Sequence, residues 1–171
     1  KKLGLTSKQS RVLFNDRTRD VEKLKVWRDS ISGVIYIDDF YTGDETYMDG
    51  SYRVKIRKTN LEKNVDAQRR FKFSLRFISG KKVADFGCGS GEFLKLAQSR
   101  CDKIIGIELQ QNYVDELNSI GIACTNKLDT INDGSLDCIV SFHVIEHLPN
   151  PLETLSQLIR KVVIGGQIII E

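Results

Sequence analysis

The chemistry-bearing residues of this chain fall in three short stretches. The first is VADFGCGSGEFL, Val83 to Leu94, where Gly87, Gly89 and Gly91 alternate with other residues between an apolar run and a helix-like run. A strand turning sharply into a helix leaves backbone N–H groups free at the helix start, and glycine lets a ligand touch the backbone. The second is KIIGIEL, whose Glu108 closes an apolar run about 20 residues on, where an acid can take both hydroxyls of a ribose. The third is SFHVIEHLPNP, which carries both histidines, His143 and His147. Glycine loop and acid together predict a nucleoside bound across the carboxyl ends of parallel strands.

The elements that must position these residues follow from periodicity. From about Val83 onward, apolar strand-like runs (KKVADFG, DKIIGIEL, GIACT, LDCIVSF, GGQIIIE) alternate with amphipathic ones (GEFLKLAQSR, QQNYVDELNSI, NPLETLSQLIRKVV). That alternation predicts an α/β fold of parallel βαβ units, and the nearly all-apolar strands suit a sheet buried on both faces. Leu152, Leu155, Leu158 and Ile159 recur at helical spacing after Pro151, with Gly165 and Gly166 as the expected stop. Upstream, KLKVWRDSISGVIYIDD reads as a hairpin, YTGDETYMDGSYR as a loop, and NLEKNVDAQRRFKFSLRFISG as a helix stopped by Gly80. The division expected is an appendage over 1–79, open to substrate recognition through Tyr41, Tyr47, Tyr52 and Arg53, and a nucleoside-binding core over 80–171. In RRFKF, Phe71 and its neighbours are expected to pack on the sheet while the arginines stay solvated.

The spacing narrows the nucleoside. The dinucleotide fingerprint is GxGxxG, but the loop here is GxGxG, with Glu92 in the last glycine's place. A carboxylate at a helix start repels a pyrophosphate. A ligand with positive charge and no phosphate suits the loop better, and S-adenosylmethionine is one. An NAD-type oxidoreductase is the rival, because Glu108 fits that ribose too.

The same stretches closely resemble the class I S-adenosylmethionine-dependent methyltransferases, and most nearly the small-molecule branch typified by ubiquinone-biosynthesis O-methyltransferases. The resemblance covers roughly 81–171 and rests on VADFGCGSGEFL, GIEL and LDCIVSFHVIEHLPNP. It implies a Rossmann-like doubly wound, mostly parallel sheet of strand order 3-2-1-4-5. The family's strands 6 and 7 are absent, so a fragment is expected. It also implies S-adenosylmethionine as cofactor. Asp85 would orient the loop and the cofactor ammonium, Gly87, Cys88, Gly89 and Gly91 would contact the methionine part, and Glu108 would take the ribose with Leu109 beside it. The family's adenine-holding acid falls at Lys127, a departure for which Asn126 or Asp129 could substitute. Phe142, at a strand end, could lie beside the adenine or the sulfonium, or simply pack in the core.

For the histidines, three readings stand. His147, with His143, could take a proton from a hydroxyl as a methyl arrives. His143, Glu146 and His147 could ligate a metal, as in RNA-end 2′-O-methyltransferases, although no metal is assigned here. Both could be structural. A binding module without catalysis is the further alternative.

The bulk numbers set the frame. With 171 residues, 40% hydrophobic and 29% charged, the chain is ordinary globular material, and no apolar run reaches transmembrane length. A net charge of +3 is too mild to argue for nucleic acid. The mix of Tyr41, Tyr47, Tyr52 and Arg53 suits a small polar acceptor such as a sugar, and that region loosely resembles leader segments of methyltransferases linked to polysaccharide synthesis. Cys88, Cys101, Cys124 and Cys138 form no CxxC pair and read as free thiols of a reducing cytoplasm.

Overall fold

A computed structural model of the chain describes residues 4–18, 24–38 and 60–171. The chain divides into two compact units, Lys1–Thr42 and Gly43–Glu171. The tyrosine-bearing stretch with Tyr41, Tyr47, Tyr52 and Arg53 lies outside the described residues.

The first unit is a three-stranded antiparallel sheet of β1 (Arg11–Asn15), β2 (Val26–Asp29) and β3 (Ile35–Ile37), in that order. The expected hairpin is β2–β3. Strand β1 was not legible, because Val12, Leu13 and Phe14 are all about half exposed and show no alternation. The turns at one end of the sheet are tied by Asp29, which is buried. Its carboxylate accepts the backbone N–H groups of Ser7 (3.2 Å), Ile31 (3.0 Å) and Ser32 (2.9 Å) and the hydroxyl of Ser10. At the strands, the Arg11 guanidinium lies 4.0 Å from the Trp27 ring centroid, a cation–π contact.

The second unit opens with helix α1 (Asn60–Ile78) and continues through β4 (Lys82–Phe86), α2 (Glu92–Ala97), β5 (Lys103–Ile107) and α3 (Gln111–Ser119). It closes with β6 (Cys124–Thr125), β7 (Leu136–Ser141), α4 (Pro151–Lys161) and β8 (Val162–Ile170). The strands pair in the order β6-β5-β4-β7-β8, all parallel, which is the order expected from the sequence.

Successive residues of a strand face opposite sides of a sheet. Val83 and Cys138 accordingly join Ile78, Phe93 and Ala97 on one face, while Ala84 and Ile139 join Ile107, Leu136 and Leu158 on the other. Both faces are covered, which explains the continuous apolar runs. Helix α1 buries Ala67, Ser74 and Ile78, with Phe71 packed against the same cluster. That stripe has helical period and makes α1 part of this unit.

One boundary moves. Helix α4 ends at Lys161 rather than at Gly165 and Gly166, because Val162 already pairs with Leu136 in the sheet. The register then slips before Cys138 meets Gln167. Gly165 takes the left-handed conformation there (φ 82°), and a Cβ on Gly166 would stand 2.7 Å from the Asp137 carbonyl. The glycines serve a bulge, not a helix stop. Among the described residues, no helix is long and apolar enough to cross a membrane.

Candidate functional site

The site forms where β4, β5 and β7 end. After β4 the chain turns through Gly87 (φ 78°), Gly89 (φ 57°) and Gly91 (φ 76°) into α2. These are left-handed conformations that cost a residue with a Cβ. Space is short as well. A Cβ on Gly87 would lie 2.3 Å from Val144 Cγ2, and one on Gly91 would lie 2.4 Å from Leu117 Cδ2. Val144 belongs to the histidine-bearing loop, so that loop and the glycine loop touch.

Part of the loop spends its donors internally. The N–H groups of Gly87 and Cys88 both bond the Ile107 carbonyl (2.7 and 3.3 Å), and that of Gly91 bonds the Cys88 carbonyl (3.1 Å). Gly89 N–H donates to Glu108 Oε2 at 2.7 Å. The Gly87 carbonyl accepts no bond among the described residues. The expectation of free N–H groups is met at the helix start, where those of Ser90, Glu92 and Phe93 have no partner among the described residues. The Gly87 carbonyl adds an acceptor, which suits a ligand that donates, such as an ammonium.

Glu108 is 7% exposed. Its second oxygen accepts the Gln110 N–H at 3.0 Å. Asp85, at the end of β4, is 2% exposed, and burial pushes its carboxyl up to about 7; Arg70 opposes that shift and Glu108 adds to it. Arg70 is the residue that sequence reasoning missed. Its side chain is 16% exposed rather than solvated, and its guanidinium sits 5.0 Å from the Phe142 ring centroid. The signal was available, since Arg70 lies three residues after buried Ala67 and four before buried Ser74, on the edge of the α1 stripe. Phe142 also packs against Phe93, ring centroids 5.2 Å apart.

After β7 the chain enters the histidine loop. His143 takes a left-handed conformation (φ 57°) and is about half exposed. Its N–H donates to the Glu171 carbonyl at 2.9 Å. Its ring nitrogens face two carboxylates, Glu146 Oε1 at 3.3 Å from Nδ1 and Glu171 Oε1 at 3.4 Å from Nε2. His147 lies in the following 3₁₀ turn, with Nε2 3.8 Å from Glu146. Arg69 clasps Glu171 through two bonds (2.7 and 2.8 Å), and Arg70 adds two more (3.1 and 3.0 Å). Those partners, Arg69 first, hold the Glu171 carboxyl down at about 2.

Asp85, Gly87, Cys88, Gly89, Gly91, Glu108, Phe142, His143 and His147 therefore gather at neighbouring strand ends. Leu109 follows Glu108 and is about half exposed. Asp129 is exposed in the 3₁₀ turn Leu128–Thr130 after β6. Asn126 is engaged by Gln111, its Nδ2 donating at 2.8 Å. His143 and His147 both approach Glu146 Oε1, at 3.3 and 3.8 Å, but the described residues hold no group of three that could bind a metal.

A parallel sheet of this order, with a glycine loop and a buried acid at adjacent strand ends, defines a class I S-adenosylmethionine-dependent methyltransferase, and the comparisons agree. The family profile described as a methyltransferase domain matches residues 57–171, and the chain belongs to that family. The chain is 30% identical over 55% of its length to the tRNA U34 carboxymethyltransferase of Dichelobacter nodosus, covering 33% of that protein. It is 34% identical over 54% of its length to the tRNA (carboxymethyluridine(34)-5-O)-methyltransferase of Mus musculus, covering 14% of it. To the ubiquinone biosynthesis O-methyltransferase of Dechloromonas aromatica it is 26% identical over 53% of its length, covering 44%. The chain thus spans less than half of each of these relatives. Among solved structures, a SAM-dependent methyltransferase from Archaeoglobus fulgidus shares the fold at TM-score 0.54 and 24% identity, over 67% of this chain and 53% of that one.

Proposed function

We propose that the chain moves a methyl group from S-adenosylmethionine to an oxygen of a small polar acceptor. The observation that carries the cofactor reading is the glycine turn bonded to buried Glu108, with its Gly87 carbonyl left to accept. When bound, the cofactor supplies a methyl on a sulfonium, open to in-line displacement. The chain's residues then divide the work. Asp85 and the Gly87 carbonyl would hold the ammonium end, Arg70 would offer a guanidinium to the carboxylate, and Glu108 would accept from the ribose. Phe142, held by Phe93 and Arg70, supplies an aromatic wall at the β7 end. Such a reaction needs chiefly positioning.

The acceptor proton is assigned to His147. Both nitrogens of His143 face carboxylates, which fix its ring and give it a positioning role. Acceptor choice is assigned to the residues ahead of α1. A second reading, an acceptor carried on RNA, draws on the two tRNA-modifying relatives and on Phe73, which stands 57% exposed between Lys72 and Arg76 on α1 rather than packing on the sheet.

Methyl-tritiated cofactor tests both. Label transferred to sugar or nucleotide-sugar hydroxyls, and lost in His147→Ala while S-adenosylhomocysteine still binds, supports the first reading. Label entering bulk tRNA alone supports the second.

A further inference from the structure

The mechanism leaves two thiols unused at the centre of the site. Cys88 sits inside the glycine loop and Cys124 on β6, two strands away from β4 across β5. Their sulfurs nonetheless lie 3.9 Å apart. What brings them together is Gly106 of β5. A Cβ there would stand 2.7 Å from Cys88 Sγ and 3.0 Å from Cys124 Sγ, so the missing side chain is the gap through which the thiols meet. Both cysteines are free; Cys124 is buried, and Cys88 is partly exposed at the loop.

We propose that Cys88 and Cys124 form a reversible thiol–disulfide switch that closes the cofactor site under oxidation. The inference rests on the assignment of the glycine loop to S-adenosylmethionine. With a peroxide as oxidant, the balance is complete. One thiol takes an oxygen to become a sulfenic acid, releasing one water. The other thiol attacks that sulfur, the S–S bond forms, and a second water leaves. Two thiols lose two electrons, and the peroxide gains them.

The consequence is geometric. A disulfide holds its sulfurs about 2 Å apart, so they must close by about half of their present separation. Cys88 moves with the loop, and its neighbour Gly89 holds Glu108. Closure therefore pulls on the glycine turn and on the ribose-binding acid together. A bound cofactor lies over the same loop and opposes the movement, which makes the cofactor-free form the sensitive one. A thiol reductant restores the open site.

The test treats the chain with hydrogen peroxide, with and without S-adenosylhomocysteine, then blocks remaining thiols and maps linked peptides by mass spectrometry. Affinity for S-adenosylhomocysteine is measured calorimetrically before oxidation, after it, and after dithiothreitol. The expected result is a Cys88–Cys124 linked peptide, at least a tenfold loss of affinity restored by reductant, and suppression of the link by bound ligand. Cys124→Ser should bind when reduced and keep its affinity after peroxide. The proposal is overturned if no such peptide forms, if the link leaves affinity unchanged, or if oxidised Cys124→Ser loses affinity as the wild type does. Failure of the reduced wild type to bind would instead strike the cofactor reading.

Discussion

The carboxylate of Glu108 accepts the N–H of Gly89 at 2.7 Å, so the acid after β5 and the loop after β4 form one rigid piece. The same carboxylate takes the Gln110 N–H with its other oxygen. Each oxygen keeps a lone pair for a further donor, so structural and ligand-binding duties coexist in one side chain.

Glu108→Ala should therefore fail twice. It strands two buried N–H donors, each costing about 1–3 kcal/mol, and it removes the ribose acceptor. We expect a lower Tm and at least a hundredfold loss of S-adenosylhomocysteine affinity, read by calorimetry. Glu108→Gln keeps one carbonyl acceptor and should recover most of the Tm but not the affinity. Equal affinity in Glu108→Gln and wild type would remove Glu108 from the ligand site.

Gly106 offers a test of packing that spares the ligand contacts. A Cβ would meet Cys88 Sγ at 2.7 Å, Leu94 Cδ1 at 2.8 Å and Cys124 Sγ at 3.0 Å. Overfilling a close-packed site costs about 1–3 kcal/mol, so Gly106→Ala should lower the unfolding free energy by that much, read from denaturant unfolding. The double variant Gly106→Ala with Cys124→Ala should recover part of it. No recovery would mean that the thiols are not what fills the space.

These features mark where the sequence was legible. The parallel βαβ units, the glycine turn and Glu108 were readable, because each rests on a local pattern: alternation of apolar and amphipathic runs, and an acid at a strand end; strand order came from the family resemblance. Arg70 and Gly106 were not. Arg70 takes its meaning from Phe142 and Glu171, both far along the chain, and RRFKF alone gives no reason to prefer one arginine. Gly106 looks like an ordinary gap in an apolar strand until Cys88 and Cys124 arrive from either side. Strand β1 failed for another reason: its exposed apolar residues carry no alternation to read.

Asp85 gives a pH signature. Burial pushes its carboxyl up to about 7, against about 3.9 for an unfolded aspartate. Between about 4 and 7 the native state holds a proton that the unfolded state has lost, so this group lowers stability as pH rises through that window, with no further change above it. Ligand affinity should run the opposite way, because an ammonium needs the carboxylate. S-adenosylhomocysteine should bind more tightly from about pH 6 to 8, by at most about tenfold per unit. Arg70→Met removes the cation that favours the carboxylate and should move that rise to higher pH. A profile that ignores both pH and Arg70 would place the ammonium elsewhere.

Asp29 is the acid on which the first unit turns. Hydrogen bonds, led by Ser10 and the Ser32 N–H, hold its carboxyl well below the usual carboxylate range despite burial. A depressed acid contributes stability that is full above the unfolded value of about 3.9 and is lost as pH falls toward the native one. Its partners come from two turns, Ser7 and Ser10 from one and Ile31 and Ser32 from the other. Hydrogen exchange should therefore show the amides of Ser7, Ile31 and Ser32 protected at neutral pH and released together in acid, while the amides of β4 and β7 stay protected. Asp29→Asn replaces a charged acceptor pair by one carbonyl and should release the same three amides at neutral pH. Protection that survives in Asp29→Asn would show that the strands alone hold these turns, with no part for the acid.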